Sequence, residues 1–96
     1  MKKLIVQFNI PGMTVQQYDQ CWEELVTAGL TNPAGRTHHV AGKEGNNFVV
    51  IEIWESEEAF NNFGETLFPI LERAGVTFVQ PVITPVHNEQ IGLETV

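Results

Sequence analysis

The stretch Arg36–Phe60, RTHHVAGKEGNNFVVIEIWESEEAF, decides the fold. Arg36–Gly42 and Asn47–Glu55 are rich in β-branched and aromatic residues, and Lys43-Glu44-Gly45-Asn46 lies between them, which predicts a hairpin. Ser56 follows directly as an N-cap, with Glu57 and Glu58 supplying negative charge to the positive end of a helix. Working outward, Phe60, Phe63, Leu67, Ile70, Leu71 and Ala74 form an apolar stripe that continues this helix to about Gly75. Pro69 lies inside the stripe and lacks an amide hydrogen, so a bend near Gly64–Thr66 or a break into two short helices is expected. Phe78–Val86 reads as a last strand, and its Pro81 and Pro85 place it at a sheet edge. On the N-terminal side, residues 3–10 alternate, with Leu4, Val6, Phe8 and Ile10 on one side and Ile5, Gln7 and Asn9 on the other. Thr14 and Gln17 form a capping-box pattern that opens a helix carrying Val15, Tyr18, Trp22, Leu25 and Val26, and Gly29 closes it.

The order β-α-β-β-α-β is the ferredoxin-like arrangement, an α+β fold in which two helices pack on one face of a four-stranded antiparallel sheet. Residues 1–96 are expected to form one domain, with 88–96 a polar tail or exchanging arm. The chain is 96 residues long, 43% hydrophobic and 18% charged, a composition that folds. Twelve acidic residues against five basic ones give a net charge of −7, and no basic stripe exists to neutralise phosphates, so nucleic acid is not expected as a partner. The apolar run Leu4-Ile5-Val6 is far too short for a membrane span. A single cysteine, Cys21, suits a reducing, cytoplasmic setting and cannot build a disulfide or a Cys-based zinc site.

The sheet face away from the helices carries the functional information. The uniformly apolar Val49-Ile51-Ile53 side of the third strand is expected under the helices, beside Leu4-Val6-Phe8-Ile10. That leaves Ile5, Gln7, Asn9, Phe48, Val50, Glu52 and Trp54 outside, too apolar for open water. Covering them is worth several kcal/mol per subunit at about 25 cal/mol per Å², which predicts a homodimer with sheets face to face.

Several motifs carry a resemblance to a known family: Met13-Thr14 through Gln17-Tyr18-Asp19, His39-Val40-Ala41-Gly42, Trp54-Glu55-Ser56 with Ala59-Phe60 and Phe63, and Pro85-Val86-His87-Asn88. With them the chain resembles the dimeric α+β barrel superfamily, in particular small bacterial proteins similar to antibiotic-biosynthesis monooxygenases. The resemblance implies a dimer of ferredoxin-like subunits and, in some members, a pocket where oxygen is added to a phenolic or quinone-like ring without metal or flavin. Heme-degrading members use an Asn on the first strand, which Asn9 matches, but their Trp and His positions fall here on Phe63 and Arg73. No His remains on the second helix to ligate iron.

His38 and His39 are adjacent on a strand, so they point to opposite faces and cannot share one metal. The turn residues leave the hairpin register open. His39 is taken as the pocket residue, a proton donor or acceptor near neutral pH. Glu52 is the candidate base, with a structural hydrogen bond to Gln7 or a histidine as its alternative role. Asn9, Tyr18, Trp22, Trp54, Phe63 and His87 are the candidate substrate-binding residues, although aromatic residues at helical spacing are more often core. Cys21 reads as a small buried hydrophobe. No motif calls for a cofactor or metal. Two functions follow: binding or oxygenation of a small aromatic molecule, or a non-catalytic structural or regulatory homodimer.

Overall fold

The structure, a computed structural model, describes residues 2–92. Its elements run β1 (Leu4–Pro11), α1 (Val15–Ala28), β2 (Arg36–Glu44), β3 (Asn47–Trp54), α2 (Glu57–Arg73) and β4 (Val82–Pro85). The four strands form one antiparallel sheet in the order β2-β3-β1-β4, the ferredoxin-like topology expected from the sequence. Both helices begin where their caps predict. Thr14 Oγ1 accepts from the Gln17 amide at 3.0 Å while Gln17 Oε1 accepts from the Thr14 amide at 2.9 Å, and Ser56 Oγ accepts from the Ala59 amide at 3.1 Å. The far end of the Gln17 side chain donates to the carbonyls of Ala74 and Gly75, tying the start of α1 to the end of α2.

Three expectations are corrected. First, β3 presents its other face to the helices. Val6 pairs with Glu52, Phe8 with Val50 and Ile10 with Phe48, and all six side chains are buried, as is Trp54. Val49, Ile51 and Ile53 lie on the open face instead, with Ile5, Gln7 and Asn9. The aromatic side of β3 offers the larger apolar surface to the core, and the charge it carries, Glu52, finds partners there. Second, α2 runs unbroken through Pro69, which is exposed, because Phe63 on one side and Ile70 and Leu71 on the other are buried in the core. Third, β4 spans Val82–Pro85 rather than starting at Phe78; 77–81 is irregular up to Pro81, and Phe78 packs on Phe68 of α2 at 5.5 Å between centroids.

The hairpin closes on a two-residue turn, Gly45-Asn46, between the paired Glu44 and Asn47. A positive φ of 58° at Gly45 and none at Asn46 matches a type II′ turn, which fixes the β2–β3 register. At the other end of β2 the pairing jumps from Arg36↔Trp54 to His38↔Ile53, so Thr37 is the extra residue of a β-bulge. Beyond β4, Val86 donates to the Lys3 carbonyl and the Glu89 carboxylate meets Lys3 Nζ at 2.9 Å. The segment 88–92 is irregular, and the rest of the expected tail lies outside the described residues.

Candidate functional site

Glu52 stands at the middle of β3 and points at the helices, where only 4% of its surface is exposed. Three donors from different places meet it. Trp54 Nε1, two residues along the same strand, donates to Oε1 at 2.9 Å; His39 Nδ1, opposite Glu52 on β2, lies 2.6 Å from Oε2; and Arg36 Nη1 approaches Oε2 at 3.5 Å. The bulge at Thr37 makes this possible. Residues 36 and 39 would face opposite ways on a regular strand, and one extra residue brings both side chains to the helix side. Arg36 is held further by its Nη2 donating to the Thr31 carbonyl at 2.7 Å and by the rings of Trp22 and Phe63, 5.6 and 5.8 Å from its guanidinium carbon. Gly35, just before it, has φ +92°, and a Cβ there would come 2.5 Å from Ala59 Cβ, so this approach of the loop to α2 requires glycine.

Helix α1 completes the network. Tyr18 and Trp22, one turn apart, lean over β2, and the Tyr18 hydroxyl lies 2.8 Å from His39 Nε2. Trp54 and Arg36 can only donate, which makes Glu52 the ionised acceptor; His39 then presents Nδ1–H to it and leaves Nε2 bare to accept the Tyr18 hydroxyl. The chain Tyr18 O–H to His39 to Glu52 therefore runs in one direction, with the proton polarity assigned from the partners. Burial pushes the Tyr18 phenol above its usual range, and the nearby Glu52 charge adds to this, so the phenol holds its proton. Burial likewise pushes up the Cys21 thiol, an unreactive wall residue.

A cavity of about 70 Å³ opens beside this network. Its floor and walls are Phe8, Ile10, Met13, Cys21, Leu25, Val50, Phe63, Leu67 and Leu71, and its polar side is Tyr18, Trp22, Arg36, His39 and Glu52. Tyr18, Trp22 and His39 are half-buried where nearly all the apolar liners are buried, so the mouth lies on the polar side. The volume is below the roughly 300–1,000 Å³ of sites that engulf drug-sized ligands, and about half that of a cavity of about 150 Å³ that takes benzene. Only a small group would fit wholly inside; a ring would project into the mouth. Among the described residues, no three His, Cys, Asp or Glu side chains converge to hold a metal ion.

Of the residues singled out from sequence, Tyr18, Trp22, His39, Glu52 and Phe63 meet at this cavity. Trp54 is fully buried behind Glu52 and orients its carboxylate without lining the space. Asn9 is on the opposite face of the sheet, 3.4 Å from Asn47 Nδ2, because its side of β1 faces away from the helices. His87 is exposed past the end of β4 and is not a liner. Arg36 was missed. Its only signal in the sequence is being one of five basic residues, at the start of a strand, and the bulge that aims it leaves no mark of its own.

This architecture, a ferredoxin-like unit with one sheet face covered by helices and the other open, is shared with other solved proteins. Among solved structures, the chain is similar to SnoaB of Streptomyces nogalater, a cofactor-independent oxygenase (14% identity over 98% of this chain and 100% of that one, TM-score 0.58). It is also similar to a dimeric ferredoxin-like protein from an uncultured marine organism (15% identity, 97% and 95% covered, TM-score 0.60). Rv0793 of Mycobacterium tuberculosis is a third such structure (10% identity, 95% and 99% covered, TM-score 0.62). At these identities the likeness is one of fold. No protein-family model and no curated protein matches the chain.

Proposed function

We propose that the protein binds a small phenolic or quinone-like molecule at the Tyr18–His39–Glu52 cavity and takes a proton from it, as a cofactor-independent oxygenase would. The observation that carries this reading is the Tyr18–His39–Glu52 hydrogen-bond chain at the mouth of an apolar space. A ligand hydroxyl donates to the Tyr18 oxygen, the Tyr18 proton passes to His39 Nε2, and the resulting imidazolium is held by Glu52. The ligand is left as an electron-rich oxyanion, the form of a phenol that gives electrons to dioxygen. Oxidation then balances without an outside reductant when a ring CH₂ becomes C=O and the second oxygen of O₂ leaves as water. The likeness of fold to SnoaB supports the reading as analogy.

The working unit in this proposal is a homodimer joined through the open sheet face. That face carries Ile5, Val40, Val49, Ile51, Ile53 and Val82, with Val40 61% and Val82 60% exposed. A second copy of the same face would shield a contiguous aliphatic patch, and a protein of like fold is dimeric. No helix among the described residues is long and apolar enough to cross a membrane.

The small cavity favours a second reading, a non-catalytic structural or regulatory homodimer in which Tyr18, His39 and Glu52 fasten α1 to the sheet. A screen of the purified protein against phenols and hydroxyquinones in air, following tryptophan fluorescence and oxygen uptake, separates the two. Binding that disappears in His39→Ala supports the first. A dimer that binds none of the panel and consumes no oxygen leaves the second.

A further inference from the structure

We infer that Arg36 is an anion receptor, and that the cavity selects small organic oxyanions over neutral or cationic molecules of the same shape. The inference rests on the reading of the cavity as a ligand site and adds the charge of its occupant. The Arg36 side chain is only 8% exposed, yet among the described residues it makes a single hydrogen bond, Nη2 to the Thr31 carbonyl at 2.7 Å. Its Nη1 stands 3.5 Å from Glu52 Oε2, an ion pair without hydrogen-bond geometry, and the two Glu52 oxygens already accept from Trp54 at 2.9 Å and face His39 at 2.6 Å. A guanidinium has five N–H donors in a planar fork, so the bond to Thr31 leaves donors that a ligand oxygen could take up. Arg36 is one of the residues that line the cavity. The rings of Trp22 and Phe63 lie 5.6 and 5.8 Å from the guanidinium carbon, and the planar fork suits a carboxylate or enolate oxygen. At the same mouth, Tyr18 spends its proton on His39 and offers only oxygen lone pairs. The site thus combines a cationic donor with an acceptor, and behind both a space of about 70 Å³ for a short apolar tail.

The test uses three near-isosteres, isobutyrate, isobutyramide and isobutylamine, titrated near neutral pH at constant ionic strength while the Trp22 and Trp54 indole and His39 ring signals are followed by NMR. Isobutyrate should bind about tenfold or more tighter than the other two, lose that advantage in Arg36→Gln and keep part of it in Arg36→Lys, which retains the charge without the fork. Equal binding of acid and amide overturns the inference and leaves the ligand site standing. So does an acid preference untouched by Arg36→Gln in a variant whose spectrum stays native. If none of the three shifts these signals while a phenol does, the anion receptor fails alone; if nothing binds, the ligand site fails with it. The wild-type comparison needs no variant, so a folding defect in Arg36→Gln does not shelter the claim.

Discussion

The two faces of the sheet are both largely apolar, and they differ in what the apolar residues surround. On the helix side, aromatic rings and aliphatic chains enclose Glu52, His39 and Arg36, each provided with at least one partner. On the open side, β-branched chains surround the amides of Gln7, Asn9 and Asn47 and the hydroxyl of Thr84, with His38 at one end against Thr37 and Glu89. The comparison teaches that a buried charge is not a sign of which face is wet. A face able to assemble donors around a carboxylate can bury it; a mainly aliphatic face, with no such partners, is the one the proposed dimer would cover.

Four changes break or sharpen this contrast. Glu52→Ala should cost about 3–5 kcal/mol, read as a fall in the urea midpoint, because it leaves Arg36 buried without its counter-charge. Ile51→Lys on the open side should spare the monomer's fold and abolish the dimer, seen as a halved mass in sedimentation at micromolar protein; an unchanged mass would remove the open face from the interface. Tyr18→Phe should cost only about 1 kcal/mol of stability, the worth of one hydrogen bond, while eliminating proton transfer from a bound phenol as followed by its phenolate absorbance. The smallest effect belongs to Glu89. The hydrogen bond from Lys3 holds its carboxyl below the ordinary carboxylate range, so its contribution to holding the 86–89 segment is present above that range and is lost as the pH falls through the lowered value. Amide shifts of residues 88–90 should move in acid before the core signals do, and Lys3→Met should erase that step.

The sequence was legible wherever a single segment holds its own explanation. Thr14 with Gln17 and Ser56 before Glu57-Glu58 are local devices, and both helices start where these residues place them. Alternation in β1 was read to the correct face because Gln7 and Asn9 contrast with four apolar neighbours. The same reasoning turned β3 the wrong way round, since Glu52 alone made its side look the wetter one. What reverses that judgement lies on β2, brought alongside by the Gly45-Asn46 turn, and a strand read in isolation cannot show it. Pro69 misled for the opposite reason: one missing hydrogen bond was weighed against helix propensity, not against the burial of Phe63, Ile70 and Leu71 around it. Candidate residues of the right chemistry were found on β2, β3 and α1, and their meeting point depended on pairings that no spacing rule contains.

Thr37 makes the arginine's place a matter of counting. Deleting it would seat Arg36 directly before His38, opposite Trp54 in a regular ladder and on the same face as His39, whereas straightening the strand with Thr37 kept would turn Arg36 to the far side of the sheet. In a chain without the bulge the matching arginine would therefore stand two residues before the histidine instead of three, and a sequence comparison that allows no gap there would overlook it.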